Sequence, residues 1–225
     1  MLILVLGKGK TGSLVAEIAR ERGHSVRALD ITENEHASAL TAPALAGVDA
    51  VIDFTAPEAA VENIRAVLSL GGRIVVGTTG WYANLDAMKA LTARRDGALL
   101  YGTNFSIGVQ KLFRLTADLA RLEGYTFSIK ETHHVTKLDA PSGTALSLKE
   151  IIQKEQPHAV IEIVSDRVGD AKGEHVVIAT GRDDVLELRH NAHSRRGFAE
   201  GAVRAAEWIH DKNGAYDFRE IADQI

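Results

Sequence analysis

The chain has 225 residues, 45% of them hydrophobic and 25% charged, with a formal net charge of −4 and no cysteine. That is the composition of an ordinary globular protein with one large domain or two small ones. It excludes a basic footprint for nucleic acid, disulfides and thiolate metal sites, and, since no run approaches about 18 apolar residues, a membrane-spanning helix. The opening stretch MLILVLGKG carries no basic segment and no small-residue cleavage site, so it reads as a first strand and not a signal peptide. The expected location is the cytoplasm.

Residues 2–6 form a short, wholly apolar run ending in glycine, as a strand buried on both faces requires. Residues 11–22 place Leu14, Val15, Ile18 and Ala19 at helical spacing. A second strand is expected over 25–30. The polar, alanine-rich stretch from 31 to 46 has no period and is left without an element. Strands at 49–54, 73–79 and 98–102 then alternate with helices at 57–70 and 85–95. Strand–helix alternation implies right-handed crossovers and a parallel sheet.

The rhythm changes after Asn104. A long helix is expected over 106–122, followed by strands at 126–133, 160–165, 174–179 and 185–190. Glu162 and Glu187 interrupt otherwise apolar strands, as one solvated sheet face demands. The turns at Lys172-Gly173 and Arg182-Asp183-Asp184 suit antiparallel hairpins. A final alanine-rich helix covers 197–210. The fold class is therefore α/β: a parallel-sheet domain of Rossmann type plus an α+β domain with an open mixed sheet.

Two stretches carry chemistry. After the first strand, Gly7, Gly9 and Gly12 match G-x-G-x-x-G and a helix follows. Glycines there let the backbone approach a pyrophosphate, whose oxygens meet free N–H groups at the helix start. Lys8, Lys10 and Thr11 belong to the same turn. Asp30 ends the second strand, where a carboxylate accepts hydrogen bonds from a ribose diol. The bland alternative is a turn that serves only chain geometry, but strand, helix and acid together favour a nicotinamide dinucleotide, NADH or NADPH. No arginine follows Asp30, which leans toward NADH, while Lys8 and Lys10 can serve either cofactor.

The second stretch is ETHHVTKLDAPSGTALS, residues 131–147. Adjacent strand residues point to opposite faces, so His133 and His134 have different tasks. Lys137 lies in the loop beyond, and Pro141-Ser142-Gly143-Thr144 opens a helix with N-cap residue types, a site for an anion. A histidine for proton transfer, a lysine for charge and a helix start for a carboxylate suit a small acidic substrate. His133, His134, His190 and His193 could also hold a metal, but no carboxylate stands at motif spacing, and no metal is expected.

His133-His134-x-x-Lys137-x-Asp139-Ala140-Pro141-Ser142-Gly143-Thr144-Ala145 resembles the signature of the 4-hydroxy-tetrahydrodipicolinate reductase (dihydrodipicolinate reductase) family of lysine biosynthesis through diaminopimelate. Val51-Ile52-Asp53-Phe54-Thr55, Gly77-Thr78-Thr79-Gly80, Asn104-Phe105-Ser106-Ile107-Gly108-Val109, Gly173-x-His175 and His190-x-Ala192-x-Ser194-Arg195 agree in order, so the resemblance spans nearly the whole chain. It implies that His133 is the catalytic acid/base and Lys137 a second proton donor. His134, Gly143 and Thr144 would bind a cyclic dicarboxylate, and Phe54, Gly77, Thr78, Thr79 and Gly102, Thr103, Asn104, Phe105 would line the cofactor site. It also implies a homotetramer and a division into a dinucleotide-binding domain, 1–104 with 195–225, and a substrate-binding, tetramer-forming domain, 105–194. The family's first turn usually reads G-x-x-G-[RK]-x-G; here Leu6 stands at its first glycine. Residues 31–48 are also short. The alternative of another class is a nucleotide-binding regulator that kept the fold and lost turnover.

Overall fold

The computed structural model describes residues 1–225. The chain divides into two compact units, residues 1–106 with 196–225, and residues 107–195. No helix is long and apolar enough to cross a membrane.

The first unit is built on a six-stranded sheet. Its strands are β1 (Leu2–Leu6), β2 (Ser25–Leu29), β3 (Ala50–Asp53), β4 (Arg73–Val76), β5 (Ala98–Tyr101) and β10 (Gly214–Asp217), in the order β10-β5-β4-β3-β1-β2. Every pairing is parallel. Sheets of this kind are covered on both faces, which is why β3 and β5 are buried along their whole length. On one face Leu4, Leu6, Val51, Ile74, Val76 and Leu99 pack with Ala60, Ile64, Val67 and Leu68 of α3 (Pro57–Ser69) and Met88 of α4 (Leu85–Arg94). Alternation sends Ile3 and Val5 to the other face, covered by α1 (Lys10–Glu21) and α7 (Arg196–Ile209). α7 presents Ala199, Gly201, Ala202, Ala205 and Ala206 there. These small residues let it lie close: a Cβ at Gly201 would stand 1.8 Å from the Phe105 carbonyl oxygen.

Residues 31–48, which carry no sequence period, form two single 3₁₀ turns, Ile31–Glu33 and Glu35–Ala37, and a four-residue helix α2 (Ala42–Leu45). Leu40 alone of this segment is a fully buried hydrophobic residue, so one anchor replaces a periodic face. The strand β10 and the short helix α8 (Phe218–Ile221) go unmarked in the sequence. β10 is an edge strand of four half-buried residues, and only its hydrogen bonding to β5 defines it.

The second unit is a four-stranded sheet, β7-β6-β8-β9, made of β6 (Thr126–His133), β7 (Glu162–Arg167), β8 (Glu174–Thr180) and β9 (Val185–Asn191). β6 and β7 are parallel; β6–β8 and β8–β9 are antiparallel. The Arg182-Asp183-Asp184 turn closes the β8–β9 hairpin. Lys172-Gly173 does not close one: β6 lies between β7 and β8. The helix α6 (Gly143–Glu155) carries the chain over to a parallel strand, and parallel strands need such a crossover. Register with β6, from Ser128↔Glu162 to His133↔Arg167, also sets β7 two residues later than the apolar run suggests. One face buries Phe127, Ile129 and Val177 under α5 (Ile107–Leu119) and α6. On the opposite face Glu162 and Glu187 stand with the exposed Val164 and Val185.

Candidate active site

In the first unit the candidate cofactor residues stand at the C-terminal ends of successive parallel strands. Gly7–Gly12 follow β1, Asp30 follows β2, Phe54 follows β3, Gly77–Thr79 follow β4, and Gly102–Phe105 follow β5. The strand order turns back between β1 and β3, and such a switch point opens a crevice for a ligand. Gly7 has φ +96°, and a Cβ on it would meet the Phe54 carbonyl oxygen at 2.3 Å. A Cβ on Gly12 would stand 2.0 Å from the Gly7 carbonyl oxygen, whereas one on Gly9 meets nothing within 4 Å. Gly9 is the N-cap of α1, no side chain caps that end, and its first turn holds no acid. Unsatisfied N–H groups beside open space fit a pyrophosphate.

Leu6, Gly7, Asp30, Asn34, Thr55 and Asn63 border one cleft of this crevice. The Asp30 side chain accepts from the Ile31 amide and caps the first 3₁₀ turn, reciprocated by Glu33. Lys8 is paired with Glu33, while Lys10 is exposed. The loops after β3 and β4 are locked together. Buried Asp53 accepts from Thr78 Oγ1 at 2.7 Å, Thr55 Oγ1 at 2.8 Å and Asn63 Nδ2 at 2.8 Å. Thr78 thus turns its hydroxyl into this network. Gly77 fits under the Phe54 ring, where a Cβ would approach to 2.2 Å, and Phe105 is buried between Phe54 and Phe218.

In the second unit the strand period brings Glu131 and His133 to the same face of β6, the face that the helices cover. Register adds His175, opposite Glu131 on β8, and Arg167, opposite His133 on β7. Glu131 is fully buried. Its Oε1 accepts from the Ser142 amide at 3.0 Å and from Arg167 at 3.2 Å. Its Oε2 lies 3.4 Å from His133 Nδ1 and 3.7 Å from His175 Nε2. Burial pushes the Glu131 carboxyl up, but its interactions with Ser142 and Ser165 and the His133 charge outweigh this and hold it below the usual range. Burial lowers the pKa of His133, with Glu131 opposing. Burial, then the charge of His133, lowers His175 to about 4.

Ser142 is the N-cap of α6, its hydroxyl accepting from the Ala145 amide at 3.2 Å and lying 3.1 Å from His175 Nε2. So the start of this helix, the candidate anion site, is fastened to the histidine cluster through Glu131 and His175. Gly143 is exposed, with open space where a Cβ would stand. Lys137 Nζ holds both oxygens of Asp139 at 2.7 and 2.8 Å. His134 lies past the end of β6, its Nδ1 2.7 Å from Thr136 Oγ1. The donor atoms of Glu131, His133 and His175 all lie within 4.8 Å of one another; the cation already on that carboxylate is Arg167. Glu131, Arg167 and His175 were not singled out as site residues from the sequence. The i, i+2 spacing of Glu131 and His133 was the available signal for the first; the other two depend on strand register.

Two family models, "Dihydrodipicolinate reductase, N-terminus" and "Dihydrodipicolinate reductase, C-terminus", match residues 1–105 and 108–221. The chain belongs to the dihydrodipicolinate reductase family. Among its relatives is the 4-hydroxy-tetrahydrodipicolinate reductase of Natronomonas pharaonis, 38% identical over 246 residues that cover 98% of this chain and 99% of the relative. That of Christiangramia forsetii is 34% identical, covering 100% and 99%. A dipicolinate-bound dihydrodipicolinate reductase from Paenisporosarcina sp. TG-14 shares the fold with a TM-score of 0.82, at 23% identity over 98% of this chain and 99% of that one. An amine dehydrogenase from Mycobacterium smegmatis shares it with a TM-score of 0.72, at 10% identity over 98% and 95%.

Proposed function

We propose that the protein reduces 4-hydroxy-tetrahydrodipicolinate to tetrahydrodipicolinate with loss of water, in lysine biosynthesis through diaminopimelate, using NADH or NADPH. Family membership over the whole chain supports this. The single structural observation that carries it is the buried Glu131–His133 pair fastened to an anion-binding helix start. Intact proton-transfer groups also argue against a regulator without turnover. Loss of water needs a proton on the departing hydroxyl and a base for a ring proton; reduction of the conjugated ring then needs one further proton. His133 acts as the acid/base and Lys137 as the second donor. His134 and the amides at Gly143 and Thr144 hold the carboxylates. The nicotinamide nucleotide, when bound, supplies the hydride to ring carbon 4. The residues ending β1 to β5 hold and orient it, with Gly9 leaving room at the pyrophosphate and Lys8, Lys10, Thr11 and Gly102–Asn104 lining its path. The test is oxidation of NADH or NADPH with the condensation product of pyruvate and aspartate semialdehyde. No turnover with either cofactor would refute the assignment.

For cofactor choice we read Asp30 as the ribose-diol acceptor, with Lys8 partly neutralised by Glu33. A 2′-phosphate beside the Asp30 carboxylate meets repulsion on the order of 1 kcal/mol, several-fold in affinity. Both cofactors are expected to work, with a modest preference for NADH. Asp30→Asn keeps the cap and removes the charge, so it should shift the kcat/KM ratio several-fold toward NADPH. An unchanged ratio would take Asp30 out of the ribose site.

The sheet face carrying the exposed Val164 and Val185 has no helix over it within this unit. Such a face usually finds a partner chain, and we assign it to a homotetramer in the cytoplasm. Sedimentation should give about four times the 24.3 kDa chain mass; a monomer mass at micromolar concentration would overturn this.

A further inference from the structure

We propose that Glu131 is the positioning residue of the proton-transfer site: its Oε2 receives the Nδ1–H of His133, fixing the tautomer that leaves Nε2 for the reaction. The inference deepens the reductase reading and rests on it for its kinetic consequence only.

Two buried polar atoms lack a hydrogen-bond partner and face each other, Glu131 Oε2 and His133 Nδ1, 3.4 Å apart. Buried polar groups are rarely left so, and one proton between the two satisfies both. The separation is long for a hydrogen bond, but such contacts often tighten only when substrate binds. The other carboxylate oxygen cannot take this part, because the Ser142 amide and Arg167 already donate to it. Glu131 therefore works in two directions at once: Oε1 fastens the helix start that would hold a substrate carboxylate, and Oε2 orients the imidazole.

With Nδ1 turned to Glu131, the reacting nitrogen is Nε2. Gly173 lies beside it, where any Cβ would come within 3.2 Å of Nε2, so a glycine keeps that nitrogen uncrowded. The groups around His133 are Glu131 on its own strand, Arg167 of β7, His175 of β8, and Lys137 and Asp139 of the following loop, with His190 of β9 beyond His175. Arg167, Lys137 and burial all disfavour the imidazolium; Glu131 and Asp139 favour it. Asp139 is held by Lys137, which leaves Glu131 as the chief support of the protonated form.

Glu131→Gln separates positioning from folding. The Ser142 amide and Arg167 both demand an acceptor at Oε1, so the glutamine must place its carbonyl there and turn its NH₂ toward His133. Nδ1 then becomes an acceptor and the neutral ring carries its proton on Nε2. The expected result is a ten- to hundredfold lower kcat with little change in KM, because the helix start is still fastened. The alkaline limb of the kcat profile should also move to lower pH, since an imidazolium without its carboxylate loses its proton earlier. Nitrogen-15 spectra of the unmodified protein provide a second measurement that needs no variant: neutral His133 should be protonated on Nδ1. A neutral His133 protonated on Nε2 in the unmodified protein would overturn the proposal. So would a Glu131→Gln protein with unchanged kcat and an unmoved alkaline limb. If the variant fails to fold, the spectrum of the unmodified protein decides alone. If the unmodified protein does not turn over the dicarboxylate, the reductase reading fails, and the spectrum still judges the tautomer.

Discussion

His133→Ala and Lys137→Ala are each expected to lower kcat about a hundredfold or more, the usual consequence of removing a positioned acid. His133 stands at the end of β6, nearly buried, against a carboxylate that cannot move because Ser142 and Arg167 hold it. In the free protein burial dominates and lowers the histidine's pKa, so at neutral pH the ring is mostly neutral. In the proposed mechanism a dicarboxylate bound beside it would add negative charge and raise that pKa, and so supply the proton when there is a ring to receive it. As an acid, His133 should lose effectiveness as pH rises through its pKa in the complex, and the His133→Ala residual rate should lack that limb. Lys137 is tied to Asp139 by two short contacts. In the proposed mechanism its removal would take away both a proton donor and a charge for a carboxylate, so kcat should fall and KM should rise. Measuring kcat and KM for both variants across pH is the check. Near-wild-type turnover in both would remove them from the mechanism.

The second large effect is expected at Gly12. It lies in the first turn of α1, and an alanine there would press its Cβ to 2.0 Å from the Gly7 carbonyl oxygen. The obstacle is backbone, not the free end of a side chain. Gly7 cannot retreat easily, because it is held at φ +96° against the Phe54 carbonyl, and its own amide donates to Leu29. Either α1 shifts off the sheet or the turn is forced open. Overpacking typically costs 1–3 kcal/mol, and more against rigid backbone. Gly12→Ala should therefore lower the Tm by several degrees and weaken nucleotide binding by about a hundredfold, which corresponds to roughly 3 kcal/mol. Gly9→Ala is the control. Open space surrounds its Cβ position, so the Tm should stay near that of the unmodified protein while binding weakens, because the methyl group would occupy the proposed path of the pyrophosphate. Thermal unfolding and cofactor titration of the two variants decide the matter. A Gly12→Ala protein with unaltered Tm and affinity would show that this turn is looser than its contacts imply.

The sequence by itself determined the parts of the fold that local chemistry dictates. Apolar runs of two-sided strands, the 3.6-residue period of α1, α3 and α5, and the three glycines before α1 are each written within a dozen residues. They led to a parallel sheet followed by a mixed one. The candidate site residues His133 and Lys137 and the helix start at Ser142-Gly143-Thr144 stand out in the sequence for the same reason, since all fall within one short stretch. Tertiary structure decided what depends on residues far apart in the chain. β10 is a strand only because β5 offers it hydrogen-bonding partners. Residues 31–48 take their shape from one buried leucine and from caps, not from a period. Lys172-Gly173 looks like a hairpin turn locally, yet β6 already occupies the place between β7 and β8. Register does the same for the site. A carboxylate at 131, a guanidinium at 167 and an imidazole at 175 are distant in sequence, and only three strands aligned side by side bring them onto one carboxylate. A one-residue slip would have turned each of them to the opposite face.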